Sequence, residues 1–186
     1  GSIYVHLDYR VVHYIKLMMD EIFGKENFRN EIAWRRGNIN VNTASDQFPR
    51  NHDTILFYSF PQATYRRQLK PYSEATLKMY KFDDKDGKGS YRLQSIRTYS
   101  QESIEKMRKD GRIVETTNGG MNFKQYLSDK EGVVVDDVWE NLPSLQGSSS
   151  ERVGYSTQKP ESLLERIIKT TSKETDIVAD FFCGSG

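Results

Sequence analysis

The chain has 186 residues, 36% hydrophobic and 12% aromatic, enough for one cored domain or one domain plus an insertion, and unlike a disordered tail. The 27 Lys and Arg residues against 26 Asp and Glu leave a net charge of +1, so any nucleic-acid surface must be local. A single cysteine, Cys183, excludes an internal disulfide, and the three histidines form no zinc-type spacing. No stretch reaches the roughly 20 apolar residues that span a bilayer, and the N-terminus lacks a basic-then-apolar signal layout. The expectation is a cytoplasmic protein without a metal and without a membrane.

Residues 2–7 are β-branched and aromatic, and from there apolar residues recur as Val12, Ile15, Met18, Met19, Ile22 and Phe23. This predicts a strand followed by a helix, with Asp8 as N-cap and Gly24 just past the end. Two further strands are expected at 30–36 and 53–59, paired antiparallel, with the first at the sheet edge. The polar connection at 37–52 is longer than hairpin closure requires, which marks a functional or mobile loop. From about 60 to 150 the segments shorten, prolines and glycines recur, tyrosines alternate with basic residues, and one helix is expected near 101–109. The last third returns to α/β order. Pro160 is expected at the first helical position, Leu163, Leu164, Ile167 and Ile168 form an apolar stripe, and 176–182 is expected as a buried strand.

Charge is distributed unevenly. Residues 29–70 hold Arg29, Arg35, Arg36, Arg50, Arg66, Arg67 and Lys70 against only Glu31, Asp46 and Asp53, while 131–142 hold Glu131, Asp136, Asp137 and Glu140 with no base. A basic strand next to a polar loop suits phosphate positioning and base-edge contact. Arg35, Arg36, Arg50, Arg66 and Arg67 are the candidate DNA-binding residues; an ordinary solvated surface is the other reading of each. His6 and Asp8 lie at the carboxyl end of the first strand, where open α/β sheets place their ligands; packing and helix capping are their other available roles.

The terminal Asp180-Phe181-Phe182-Cys183-Gly184-Ser185-Gly186 ends a hydrophobic run in a glycine turn. Such turns let backbone approach a ligand closely, and an acid at the strand end can accept a ligand hydrogen bond. The same layout also serves as a plain tight turn, and Thr157 to Pro160 can be read as an ordinary helix start. Cys183 has no basic residue or histidine beside it in sequence to activate it, which argues against a nucleophilic thiol.

"GYSTQKPESLLERIIK" followed by "DIVADFFCGSG" resembles the adjacent cofactor segments of the β-class amino-group DNA methyltransferases, the N6-adenine and N4-cytosine enzymes. "GSIYVHLDYRVVHYIKLMMDEIFGKENFRNEIAWRR" and "HDTILFYS" are similar to the strands and helix that follow the catalytic segment in the same family. The resemblance covers about 1–60 and 133–186. It implies an α/β fold: an incomplete Rossmann-like S-adenosylmethionine-dependent methyltransferase sheet, with core segments at 1–60 and 151–186 and an inserted α+β target-recognition region at 61–150. It implies S-adenosylmethionine as cofactor, held by Thr157, Gln158, Lys159, Pro160, Asp180, Phe181, Phe182, Cys183, Gly184 and Gly186.

The implied partner is double-stranded DNA with its target base flipped out; a homodimer or a restriction subunit is the implied protein partner. The family's Asp-Pro-Pro-Tyr tetrapeptide does not occur in the 186 residues, so no catalytic residue is assigned here. The resemblance puts that segment upstream of Gly1 and makes the chain a piece of a site-specific adenine-N6 methyltransferase, inactive alone. An N4-cytosine enzyme and a DNA-binding specificity module without catalysis are the alternatives. A nucleotide-dependent oxidoreductase is a further one, and would need a third loop glycine.

Overall fold

A computed structural model describes residues 1–37 and 46–184. In chain order the elements are β1 (Ser2–Leu7), α1 (Val12–Phe23), β2 (Phe28–Arg35), β3 (His52–Ser59), β4 (Leu69–Lys70), α2 (Glu74–Leu77), β5 (Tyr91–Ser95), α3 (Gln101–Lys109), β6 (Ile113–Glu115), β7 (Met121–Tyr126), β8 (Val133–Val134), β9 (Val138–Trp139) and α4 (Glu161–Thr171). They divide into two compact units, Gly1–Gln68 with Val134–Gly186, and Leu69–Val133.

The first unit is built on a four-stranded sheet in the order β1-β3-β2-β9. β3 runs antiparallel to both β1 and β2, with Leu7 opposite Thr54 and Arg35 opposite His52. Alternating side chains of β3 therefore face opposite layers. Ile55 and Phe57 pack with Ile32, Trp34, Trp139, Leu142 and Leu163 of α4, while Leu56 and Tyr58 pack with Val12 and Met19 of α1. Each such buried side chain contributes roughly 1.5–3 kcal/mol by leaving water. The helix stripe expected over α4 is used through Leu163 and Ile167, and Tyr4 stacks flat on Phe57 with centroids 4.4 Å apart.

The antiparallel pairing of 30–36 with 53–59 and the strand at 2–7 are as expected. Other expectations need correction. β2 is not an edge strand, because β9 pairs with it in parallel through Ala33 and Trp34. Asp8 does not cap α1: Val11 occupies that position, and the Asp8 carboxylate is turned back onto Arg10. The Asp8 carbonyl instead accepts the Val12 amide at 3.2 Å. Pro160 sits one residue earlier than expected, as the N-cap of α4, and its carbonyl accepts the Leu163 amide at 3.0 Å. The expected buried strand at 176–182 is not a strand and is not buried: Ile177, Phe181 and Phe182 are 97%, 88% and 95% exposed. β-branched and aromatic composition alone cannot make a strand without a neighbour to bond, and among the described residues none lies alongside it.

The second unit is smaller. β7 lies between β5 and β6 in a three-stranded antiparallel sheet. The helix expected at 101–109 is α3, started by the Ser100 hydroxyl accepting the Ser103 amide. Among the described residues no helix is long and apolar enough to cross a membrane.

Candidate cofactor and DNA-facing site

The carboxyl ends of β1 and β2 and the start of β3 meet at one end of the first unit's sheet, since Leu7 faces Thr54 and Arg35 faces His52. Asp53 is the hub there. Its Oδ2 lies 3.0 Å from His6 Nε2 and its Oδ1 lies 3.5 Å from Arg36 Nε. Burial pushes the Asp53 carboxyl upward, but the His6 hydrogen bond and the charges of Arg36, His6 and Lys159 outweigh it, so the group is held below its ordinary value. Lys159, from the turn before α4, thus acts on the same carboxylate as Arg36.

Arg36 is fixed through its backbone as well. Its amide donates to the Asn51 carbonyl at 2.9 Å, and its carbonyl accepts from both the amide and the hydroxyl of Ser144. Just upstream, Trp34 Nε1 donates to the Leu142 carbonyl at 2.6 Å, which lays residues 142–144 along the end of β2. The Arg50 guanidinium rests 4.1 Å from the centre of the Tyr9 ring. Arg35, Arg36 and Arg50, all exposed, therefore share the end of the sheet that carries His6, Asp8, Tyr9 and Asp53.

Arg66 and Arg67 are placed elsewhere. They follow β3 from its far end, and the Arg66 amide donates to the Thr170 carbonyl in the last turn of α4 at 2.7 Å. The helix's 11 residues put about 16 Å between that turn and Lys159.

The glycine loop and the helix start do come together. Gly184 has φ +66°, and a Cβ added there would lie 2.8 Å from Tyr155 Cε1, closer than side-chain atoms tolerate. The Tyr155 carbonyl accepts the Gln158 amide at 3.3 Å, so the residue that Gly184 packs on heads the turn leading to Pro160. Gln158 is spent on structure: its Nε2 donates to the Glu151 carbonyl at 2.7 Å and its Oε1 accepts the Val153 amide at 2.9 Å. Lys159 Nζ donates to the Thr157 carbonyl at 2.8 Å. Asp180 Oδ1 accepts the Phe182 amide at 2.9 Å, bending the loop as an Asx turn does. Asp180, Phe181, Phe182, Cys183 and Gly184 are exposed and line no wall among the described residues; Gly186 lies outside those residues. Cys183 is a free thiol.

Two residues at this end were quoted in the motifs without a role. Tyr155 stands in "GYSTQKP", where an aromatic two residues before Thr157 is the available signal. Asp53 stands in "HDTILFYS", where an acid at the head of an otherwise apolar strand is the signal. Among the described residues no group of three or more His, Cys, Asp or Glu could hold a metal ion.

A family model described as DNA methylase, covering the N6/N4 methyltransferases, matches residues 1–186. The chain is 30% identical over its whole length to the Type II methyltransferase M.EcaI of Enterobacter cloacae, of which it covers 46%. It is 25% identical, again over its whole length, to the Mod subunit of the Type III restriction-modification enzyme StyLTI of Salmonella typhimurium, of which it covers 34%. A third relative, the Type II methyltransferase M2.LlaDCHI of Lactococcus lactis subsp. cremoris, is 37% identical over 90 residues, 48% of this chain and 32% of that protein. The chain thus spans less than half the length of these curated relatives.

Proposed function

Because the chain belongs to the DNA methylase family of N6/N4 amino-methyltransferases, we propose that it forms the cofactor-closing and DNA-facing parts of a site-specific adenine-N6 methyltransferase of a restriction-modification system. The observation that supports the reading is the seating of Gly184 on Tyr155, which brings two segments about thirty residues apart into contact. The missing side chain lets the loop backbone press against the Tyr155 ring, which fixes where the loop's amides sit relative to the turn at 157–160. The exposed loop at 180–184 supplies amides and an acid on one side, and the turn at 157–160 supplies the other.

In this reading Thr157, Gln158, Lys159, Pro160, Asp180, Phe181, Phe182, Cys183, Gly184 and Gly186 hold S-adenosylmethionine, with Gln158 stiffening the turn and Tyr155 backing the glycine. When bound, the cofactor supplies the electrophilic methyl group. Arg35, Arg36 and Arg50 lie on the same end and neutralise phosphates of the bound duplex, Asp53 keeping Arg36 in place. Arg66 and Arg67 serve a second stretch of backbone. The region at 61–150 supplies target recognition, and the flipped base meets an Asp-Pro-Pro-Tyr segment that these 186 residues do not contain.

The test is methyl transfer by the natural protein that contains these residues. It is incubated with labelled S-adenosylmethionine and genomic DNA, and the modified nucleosides are then separated. Label in N6-methyladenine is expected. Label in N4-methylcytosine would replace adenine by cytosine in the reading, and DNA binding without transfer would make the protein a specificity module.

A further inference from the structure

In the second unit Arg92 is anchored differently from Arg112 and Lys124, by neutral partners and not by a carboxylate. Arg112 is neutralised by Asp129, with its Nη1 2.9 and 2.8 Å from the two carboxylate oxygens, and Lys124 is ion-paired with Asp84. Arg92, on β5, stands directly opposite Gln125 on β7, and its Nε donates to Gln125 Oε1 at 2.8 Å. Gln125 is only 8% exposed, so the anchor is built into the sheet. The Arg92 guanidinium also lies over the ring of buried Tyr80, 5.2 Å from its centre. What remains is the outer fork, which makes only loose contacts: Nη2 to Gln94 Oε1 at 3.4 Å and Nη1 to Met79 Sδ at 3.9 Å. These anchors are all neutral side chains.

A phosphate contact asks only for a cation within reach, and mobile Lys or Arg side chains provide it. A guanidinium tied at Nε and laid on an aromatic ring has given up that mobility. In return it holds two in-plane donors at fixed spacing, the geometry that matches the O6 and N7 acceptors of guanine. We propose that Arg92 is a guanine-reading side chain of the second unit, presenting Nη1 and Nη2 to the major-groove edge of one guanine in the target DNA, with Gln125 as its positioning residue. This rests on the reading of the chain as part of a DNA methyltransferase.

The test uses the natural protein that contains these residues. A preferred duplex is selected from a randomised library, and binding is then measured with each guanine replaced in turn by 7-deazaguanine, which lacks the N7 acceptor. One position is expected to lose about tenfold or more in affinity. Arg92→Lys keeps the charge and is expected to abolish the guanine preference at that position and the 7-deazaguanine effect there, with the salt dependence unchanged. Gln125→Leu is expected to weaken the same preference while leaving preferences elsewhere in the site alone, which a merely structural loss would not do. An Arg92→Lys protein that binds all sequences uniformly more weakly would make Arg92 a phosphate contact and overturn the proposal. So would insensitivity of every guanine to the 7-deaza replacement, a measurement that needs no variant. Folded protein that binds no DNA would overturn the methyltransferase reading as well, whereas sequence-selective binding with an unchanged Arg92→Lys profile would overturn only this inference.

Discussion

β3 in the first unit and β7 in the second are both middle strands of antiparallel pairings, yet six consecutive residues of β3, 54–59, are buried, whereas β7 alternates, with Asn122 and Lys124 half-exposed. β3 has α1 against one face and α4 against the other, so both its side-chain rows are apolar or sequestered. Inner positions of β7 instead carry Gln125 and Lys124, tied to Arg92 and Asp84. The first unit is held by layers of apolar burial and puts its polar groups at the sheet's end. The second uses its sheet as a frame on which polar side chains are pinned.

The contrast is broken most severely inside β3. Ile55→Ala should cost about 2–5 kcal/mol, because Ile55 is fully buried and its cavity would sit among close-packed aromatic rings. Urea denaturation measures this, and a cost near zero would mean that the layered core is not what holds the unit.

Asp53→Asn should cost less, about 1.5–2 kcal/mol at neutral pH, by weakening the charged bonds to His6 and Arg36. The Asp53 carboxyl is held below its ordinary value, so its contribution is present above the unfolded-state pKa and disappears as pH falls through the folded-state one. Stability curves of wild type and Asp53→Asn should therefore converge in acid. A constant gap down to the acid transition would contradict this.

Tyr4→Phe should cost about 1 kcal/mol at neutral pH. Burial, together with Tyr65, pushes the Tyr4 phenol up to about 12 against the opposing hydrogen bond from Thr171. The folded state holds this proton more tightly than the unfolded state, so the Tyr4 contribution is full below about 10 and is lost as pH rises from there through 12. Alkaline unfolding followed by circular dichroism should lose that component in Tyr4→Phe. Smallest of all, Lys169→Ala should stay within about 0.5 kcal/mol, since Lys169 and Glu165 form an i,i+4 pair with both side chains more than half exposed.

The first unit was legible where local pattern and tertiary partner agree. The β1 and β3 runs find the layers their spacing predicts, as do Val12, Ile15, Met19 and Phe23 of α1 and Leu163 and Ile167 of α4, whereas Met18, Ile22, Leu164 and Ile168 of the same expected stripes are exposed. It was illegible where the partner decides. The run at 176–182 has strand composition but no neighbour among the described residues, and β9, two residues long, carries no pattern of its own yet turns β2 from an edge strand into an inner one. The site divides the same way. Arg35, Arg36 and Arg50 were marked by charge, but the separation of Arg66 and Arg67 from them depends on the path of the chain around α4. Tyr155 and Asp53 act through contacts across 29 and 47 residues, a range at which no local spacing speaks.

The most direct measurement is calorimetric titration of S-adenosylmethionine into the natural protein that contains these residues, as wild type and as Gly184→Val. A valine at Gly184 must both adopt the strained positive φ and displace the Tyr155 ring. Saturable heat from the wild type and its loss in a folded Gly184→Val protein are the predicted results. A folded wild type that releases no heat, or a Gly184→Val protein that binds like the wild type, would contradict the assignment of this loop and helix start as one cofactor pocket.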